Sequence, residues 1–430
     1  MNVSVGSLKA RRLLLLGIVL VCGLLIEQAA WNWRVRADID SHNLSSLERG
    51  ARLAPGNAEA WDRLGRFRQW SFEHPDAAGA VRDYERAVSD LPISPYYLMD
   101  LAGAYEQTGH VEEANQTFQR AVAAYPLSGA VAWNYGNFLL RQQHVEQALE
   151  EIHRAVESDP SLIPLALSRI WVSNHDIDLV LDRVLPSTAK AYLEALDYFE
   201  TTQEVDAGIA VWDKLLSLGQ PVGLRSVFPL IDELIRDDRA SDARKVWGDA
   251  VRAAGVNEAQ PDSSLIWNGE FMQAFANGGL GWRWDSPLGA AINFGDPRPG
   301  GLGRSVRIDF NGGNNTALDA PSQYVPVEPN TRYDFHAYLR TEGITTESGI
   351  RFAISDPNHS GVRVTTTNLT GTNPWALADA EVSTGPQTRF LLVQLYRPRS
   401  RLFDSNLGGT VWMADVSLAP AQAHTEPAKP

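Results

Sequence analysis

The sequence predicts a multidomain α + β fold: an N-terminal membrane helix, an all-α solenoid and a C-terminal all-β sandwich. Three observations support this division. An uncharged apolar run covers residues 13–26. Helical spacing of apolar residues follows it, and prolines recur at a step of 34 residues, at Pro92, Pro126 and Pro160. After the last helical segment, short runs with alternating apolar residues begin.

Composition limits the classes of function. With 430 residues, of which 44% are hydrophobic and 21% charged, the chain is globular and too long for one ordinary core. Its formal net charge of -14 argues against nucleic-acid binding, which needs clustered Lys and Arg. The single cysteine, Cys22, lies inside the apolar run, so no disulfide within the chain and no cysteine metal site is expected.

Residues 1–36 are expected to form a cytoplasmic tip and a signal-anchor helix. Basic residues precede the apolar run, and Trp31 and Trp33 follow it. Tryptophan prefers the membrane–water interface, and basic flanks tend to stay in the cytoplasm. We therefore expect a single-pass protein of the inner (cytoplasmic) membrane whose bulk is periplasmic. A cleaved signal peptide and a buried soluble helix are the alternatives.

The 34-residue step holds in four registers. Besides the prolines it relates Ala87, Ala121 and Ala155; Tyr84, Phe118 and Ile152; and Ala80, Ala114 and Ala148. Small residues at a helix crossing and a proline closing the second helix are typical of a repeated helix pair. This pattern resembles the tetratricopeptide-repeat proteins. The resemblance implies a solenoid over 41–256, clearest at 57–160, that binds a protein partner in its groove.

A partner groove would use polar residues that lie between the packing positions of the repeats. Aromatic and aliphatic residues at the packing positions are expected to form the core. The candidate groove residues are Arg68, Gln107, Asn134 and Asn137.

An all-β sandwich is predicted over 265–420, after a linker at 257–264. The region opens with Asn268-Gly269-Glu270-Phe271 and closes with Trp412-Met413-Ala414-Asp415. In this order it resembles the jelly-roll carbohydrate-binding modules of the galactose-binding-like superfamily. The Ala- and Pro-rich tail, 421–430, is expected to be disordered.

Strand alternation provides candidate glycan-binding residues. If Phe335 and Leu395 face the core, their sequence neighbours face outward, where aromatic faces stack on sugar rings and polar groups bind hydroxyls. We expect one patch, with two tryptophans nearer the loops; a solvated sheet face and core packing are the alternatives. The candidates are His336, Tyr338, Arg340, Arg351, Gln394, Tyr396, Trp284 and Trp375.

The resemblance also implies a structural calcium that ties the first strand to the last. Glu270 and Asp415 stand at the matching positions. Calcium takes about six to eight oxygen ligands, so ordinary surface carboxylates are the alternative. No other cofactor is expected.

The sequence lacks the motifs of common enzymes, namely a G-x-S-x-G elbow, a P-loop and H-E-x-x-H. We therefore predict a membrane-anchored, non-catalytic adaptor in the assembly or export of a cell-surface polysaccharide (exopolysaccharide). It would bind a protein through the solenoid and a polysaccharide through the β-module. A purely protein-binding envelope scaffold and a carbohydrate-active enzyme with a carboxylate pair are the alternatives.

Overall fold

The computed structural model describes residues 8–73, 75–256, 264–301, 303–403 and 405–421. It divides the chain into two compact units, Met1–Pro186 and Ser187–Pro430. The predicted linker at 257–264, except Ser264, and the predicted tail at 421–430, except Ala421, lie outside the described residues.

The first unit is helical in its described residues. Its helices are α1 (Leu8–Ile39), α2 (Leu44–Leu53), α3 (Ala58–Trp70), α4 (Ala77–Asp90), α5 (Pro95–Gln107), α6 (Val111–Ala124), α7 (Gly129–Arg141), α8 (Val145–Ser158), α9 (Ile163–Asn174) and the short α10 (Ile177–Leu179), which continues as a π-helical turn, Val180–Val184. Short loops join α3 to α8 into three antiparallel pairs, each packed on the next.

Local sequence sets both the ends and the close packing of these helices. The side chains of Asn43 and Asn57 cap α2 and α3 by accepting backbone N–H groups of the first turn. Gly136 of α7 lies against Ile152 of α8, where an added Cβ would come within 2.8 Å of a side-chain carbon. The two helices of a pair can therefore approach closely only with a small residue at the crossing, as the 34-residue pattern indicated.

Helix α1 combines an exposed apolar part with a packed end. Residues 11–39 are long and apolar enough to cross a membrane by length and composition, a test that a signal sequence also passes. Val35 and Ile39, near the end of the helix, are buried in one cluster with Leu47 and Leu64. The end of α1 is thus the first helix of the first antiparallel pair, with α2 as the second.

The second unit begins with two further helix pairs. They are α11 (Ala189–Thr201) with α12 (Val205–Ser217), and α13 (Phe228–Arg236) with α14 (Ala240–Ala253). Their cores contain Phe199, Trp212 and Trp247, all buried.

The rest of the second unit is an antiparallel β-sandwich, consistent with a jelly roll. Its strands are β1 (Ala290–Gly295), β2 (Ser305–Asn311), β3 (Ser322–Pro326), β4 (Arg332–Ile344), β5 (Arg351–Ser355), β6 (Arg363–Thr365), β7 (Gly371–Ser383), β8 (Phe390–Tyr396) and β9 (Gly408–Pro420). One sheet has the order β1-β2-β9-β4-β7 and the other β3-β8-β5-β6. Apolar side chains from both sheets form one core between them. The predicted fold class is confirmed.

Within the second unit, α13 and α14 pack against the sandwich. The indole rings of Trp247 and Trp267 meet edge to face at 5.3 Å, and both are buried. The Asn358 amide donates to the backbone oxygen of Ile235 at 2.7 Å, and Arg283 pairs with Asp232. These helices and the sandwich therefore form one compact body.

Candidate functional site

The predicted glycan residues do not form the single patch that the sequence suggested. His336, Tyr338 and Arg340 lie on β4, in the five-stranded sheet, whereas Arg351, Gln394 and Tyr396 lie on β5 and β8, in the four-stranded sheet. The core-facing residues of both sheets belong to one cluster between them. The outward residues of the two sheets therefore point to opposite sides of the sandwich, since alternation identifies the outward face of a strand but not its sheet.

A groove of about 830 Å³ lies on the outer face of the five-stranded sheet. Trp412 of β9 lies at its floor, directly opposite Arg307 of β2 and Arg340 of β4 in the strand register. The guanidinium of Arg340 lies 4.3 Å from the centre of a Trp412 ring, and that of Arg307 lies at 5.6 Å. This cross-strand arrangement holds the indole between two cations.

Trp375 lines the same groove from β7. The pairing of β4 with β7 is irregular here, because Leu339 faces Ala376 while Thr341 faces Asn373. The one extra residue that β7 has at this point accompanies the placement of Trp375 and Asn373 at the wall of the groove. Two tryptophans, two arginines and polar side chains thus share one open cleft, which is a suitable composition for a polar ligand with apolar faces.

Each arginine in the groove is also paired with a carboxylate. Arg307 binds Asp309 at 2.8 Å, and Arg340 binds Glu342 at 3.2 Å. These pairs fix the guanidinium groups while leaving both side chains partly exposed. The groove is therefore polar and roughly balanced in charge, rather than strongly cationic.

Arg298 connects the predicted glycan residue Tyr338 with the predicted calcium ligand Asp415. Its guanidinium lies 3.7 Å from the Tyr338 ring centre and donates to Asp415 Oδ2. Glu270 accepts from the Arg304 backbone N–H through its own backbone oxygen. No group of three or more His, Cys, Asp or Glu side chains suited to a metal occurs among the described residues. Arg298 supplies the positive charge next to Asp415, and the calcium remains a prediction.

The other candidates occupy different surroundings. Arg351 and Arg363 place their guanidinium groups 5.8 Å and 5.2 Å from the Tyr396 ring centre, on the four-stranded sheet. Gln394 lies two residues before Tyr396 on β8, with the same outward direction. Trp284 packs against the sandwich core and does not line the groove. His336 is exposed on β4.

Sequence reasoning missed Trp412 and Arg307 as groove residues. Val411 and Met413, on either side of Trp412, are both buried, so strand alternation alone would have placed the indole outward. The signal for Arg307 is the same, because Val306 and Ile308 are buried.

In the first unit, a polar ladder crosses the successive first helices of the pairs. Arg66 of α3 binds Asp100 of α5 at 2.6 Å, and Arg141 of α7 binds Glu106 of α5 at 2.7 Å. The predicted residue Gln107 belongs to this ladder, since it accepts from the Gln69 amide at 3.0 Å.

The other predicted groove residues have local partners. Arg68 is 20% exposed at its side chain and binds Asp83 and Glu48, so it joins helices rather than facing outward. Asn134 is exposed and donates to the Ala130 backbone oxygen one turn earlier. Asn137 is buried, and its Oδ1 has no hydrogen-bond partner among the described residues.

Burial changes the acidity of the carboxylates beside the ladder. Desolvation, and then the neighbouring Asp100 carboxylate, raise the pKa of Asp62 to about 7. Desolvation raises the pKa of Asp83 to about 6, against the opposing effect of the Arg68 charge. The array therefore holds carboxyl groups that titrate near neutral pH.

Comparisons with known proteins agree with the helical part of this description. A family model described as tetratricopeptide repeat matches residues 73–128 and 99–163. PilF of Pseudomonas aeruginosa is 16% identical, with 54% of this chain and 94% of that chain covered and a TM-score of 0.28. YrrB, described as a TPR protein with an unusual peptide-binding site, is 12% identical, with 50% and 95% covered and a TM-score of 0.26.

A phage protein is similar as well. The enzymatically active domain of tailspike protein 4 from bacteriophage CBA120 is 13% identical, with 38% of this chain and 22% of that chain covered and a TM-score of 0.29. No curated protein matches the sequence. At these identities and TM-scores, none of the solved structures carries an argument about what this chain does.

The fold and the family match together define the class of protein. The chain contains tetratricopeptide repeats, which are rigid helix pairs stacked into a protein-binding scaffold. The helical part is therefore of the adaptor or scaffold type.

Proposed function

We propose that the protein is a membrane-anchored, non-catalytic adaptor for the assembly or export of a cell-surface polysaccharide. Its repeats bind a protein partner, α1 anchors it in the inner membrane with the bulk of the chain in the periplasm, and the sandwich binds a glycan. The observation that carries the glycan step is the groove in which Trp412 and Trp375 lie together with Arg307 and Arg340.

The chemistry of this groove suits a sugar chain. Indole faces pack against the apolar C–H face of a sugar ring, and the groove adds donors and acceptors for hydroxyl groups. Asp296 and Asn373 supply acceptors, and the two arginines supply donors. A cleft open along the sheet also suits an internal segment of a polymer better than a small enclosed ligand.

Glycan binding is tested by substituting Trp412 in the full-length protein. We expect Trp412→Ala to weaken binding on a glycan array at least tenfold, since the indole forms the floor of the groove and about 1.4 kcal/mol corresponds to tenfold. Trp375→Ala should weaken it as well. Tyr396→Ala, an aromatic truncation on the outer face of the opposite sheet, is the matched control and should leave binding unchanged.

A second candidate function is a scaffold that binds only proteins. It is favoured by the buried aromatic contact of Trp247 with Trp267, where the sandwich already packs against helices of its own unit. If the folded wild-type protein binds no glycan on the array, this function replaces the adaptor. Loss of binding in Tyr396→Ala but not in Trp412→Ala would move the glycan to the four-stranded sheet.

A further inference from the structure

Two ion pairs fix the level at which α1 leaves the repeat array. Arg36 of α1 binds Glu59 of α3, and Asp40, directly after α1, binds Arg63 of α3, each at 2.7 Å. Both partners advance by four residues, so α1 and α3 run parallel, and the start of α3 is level with residue 35 of α1. The preceding residues of α1, from Leu8 to Arg34, project beyond that level by about 40 Å at 1.5 Å per residue.

The loops that lead into the first helices lie on the side from which α1 projects. Because short loops reverse the chain after every helix, α3, α5 and α7 all run parallel to α1 and begin on this side. We call this side the proximal edge and define it by residues 54–57, 91–94 and 125–128 with the two residues on either side of each. Trp31 and Trp33 of α1, both exposed, lie close to the same level.

The proximal edge exposes large apolar side chains in or beside each of its three loops. Ile93 is 65% exposed and Leu127 is 89% exposed. Its exposed apolar and aromatic residues are Leu53, Leu91, Ile93, Tyr96, Tyr125 and Leu127. Four of these residues, Leu91, Ile93, Tyr96 and Tyr125, help to line a cleft of about 380 Å³ between the second and third loops. On the opposite side, the loop between α5 and α6, at 108–110, and the loop between α7 and α8, at 142–144, consist of polar residues and Gly109, whereas the loop after α3 exposes Phe72.

Arginines accompany the apolar residues on this edge. Arg52, Arg86 and Arg120 lie near the ends of α2, α4 and α6 and are exposed, and none pairs with a carboxylate in the described part of the chain. Arg154 stands one 34-residue step after Arg120 and donates to the Pro126 backbone oxygen at 2.7 Å. This bond shows that a side chain at the repeated position reaches the loops of the proximal edge.

We propose that the proximal edge rests in the headgroup region of the bilayer into which α1 inserts, an inference that depends on the anchoring proposed above. The bilayer is the occupant that fits, because α1 enters it from this edge and the interfacial tryptophans are at the same level. Aliphatic side chains enter the apolar boundary, tyrosines remain at the interface, and arginines bind anionic headgroups. The anchor and the edge then hold the array at two points on the membrane.

The test uses the full-length protein in vesicles that contain an anionic lipid and lipids with quenchers at known depth. An environment-sensitive fluorophore is attached to Ile93→Cys or Leu127→Cys after Cys22→Ser. Val111→Cys and Val145→Cys are matched controls, since both residues are exposed apolar side chains at helix starts on the opposite edge. The native Cys22, labelled in the otherwise unchanged chain, reports insertion of α1.

We expect quenching at Cys22, shallower quenching at positions 93 and 127, and none at 111 and 145. Arg86→Gln with Arg120→Gln should lower the ratio of docked to undocked edge about fivefold for each arginine on anionic vesicles. If Cys22 is quenched but positions 93 and 127 behave like the controls, the edge does not contact lipid. That result overturns the docking of the edge and still supports the anchoring by α1. If Cys22 is not quenched, the anchoring itself fails. A blue shift at 93 and 127 without quenching would mean that a protein segment covers the edge, which also overturns the proposal.

Discussion

Asp62→Asn is expected to stabilise the repeat array at pH 8 and to leave it nearly unchanged at pH 3. Asp62 of α3 is 3% exposed, and its Oδ1 has no hydrogen-bond partner in the described residues. Burial and the Asp100 carboxylate raise the pKa of Asp62 from 3.8 to about 7. The folded protein therefore keeps a proton on Asp62 that the unfolded chain releases near pH 4.

The sign and size of the effect follow from this pKa difference. As the pH rises from about 4 to about 7, the unfolded chain gains free energy from ionising Asp62 and the folded chain does not, so the free energy of unfolding falls and then levels off. A shift of about three units sets an upper limit of about 4 kcal/mol. Local relaxation and water access reduce it, and we expect about 1–2 kcal/mol at pH 8.

Hydrogen exchange of peptides from α3 and α5, corrected for the intrinsic rate at each pH, measures the local free energy of opening. In Asp62→Asn this free energy should exceed that of the wild type at pH 8 and equal it at pH 3, below the pKa of the unfolded chain. Glu150→Gln, which neutralises an exposed carboxylate on α8, is the control and should show no change at either pH. An equal gain at both pH values, or a loss at pH 8, would refute the assigned role of burial.

Two further predictions concern packing. Gly136→Ala should lower the free energy of unfolding by about 1–3 kcal/mol, because the new Cβ meets Ile152 at 2.8 Å. Gly103→Ala on α5 should raise it by up to about 1 kcal/mol, because an added Cβ there has no atom within 4 Å other than the adjacent residues and backbone of its own helix. Equal effects of the two substitutions in urea unfolding would contradict the close approach. Arg397→Lys in the sandwich should lower the free energy of unfolding by about 2–4 kcal/mol, because the fully buried guanidinium donates to several loop oxygens that an ammonium cannot reach together. A thermal unfolding midpoint within about 1 °C of that of the wild type would show that this network is dispensable.

The helical part could be predicted because its signal is local and repeated. The residues that recur at 34-residue steps are the ones that pack between helices of a pair, so Ala80, Tyr84 and Phe118 are all buried. The direction of single polar residues was less predictable, because the side chains of adjacent residues point about 100° apart around the helix axis. Arg66 therefore reaches the next first helix, while Arg68, two residues later, turns towards α2 and α4.

In the sandwich, the sequence predicts which side chains of a strand face outward but not which strands become neighbours. The pairing of β9 with both β2 and β4 brings Trp412 next to Arg307 and Arg340, each more than 70 positions earlier in the chain. No local pattern specifies such a pairing, since it depends on the order of the whole sheet. The position of Trp375 depends in addition on the irregular pairing of β7 with β4, which alternation cannot anticipate.

The packing of α1 bears on how an anchor can act. A flexible linker after a membrane helix would leave the repeats free to rotate, but Val35 and Ile39 are buried in the first helical layer and no turn interrupts α1 before Asp40. Under the proposed anchoring, any tilt of α1 in the bilayer would therefore be transmitted to the array as a rigid movement. Contacts of the proximal edge with lipid would restrict that tilt. The polar ladder from Arg66 to Arg141 would then keep one orientation relative to the membrane, in which a protein partner can bind it.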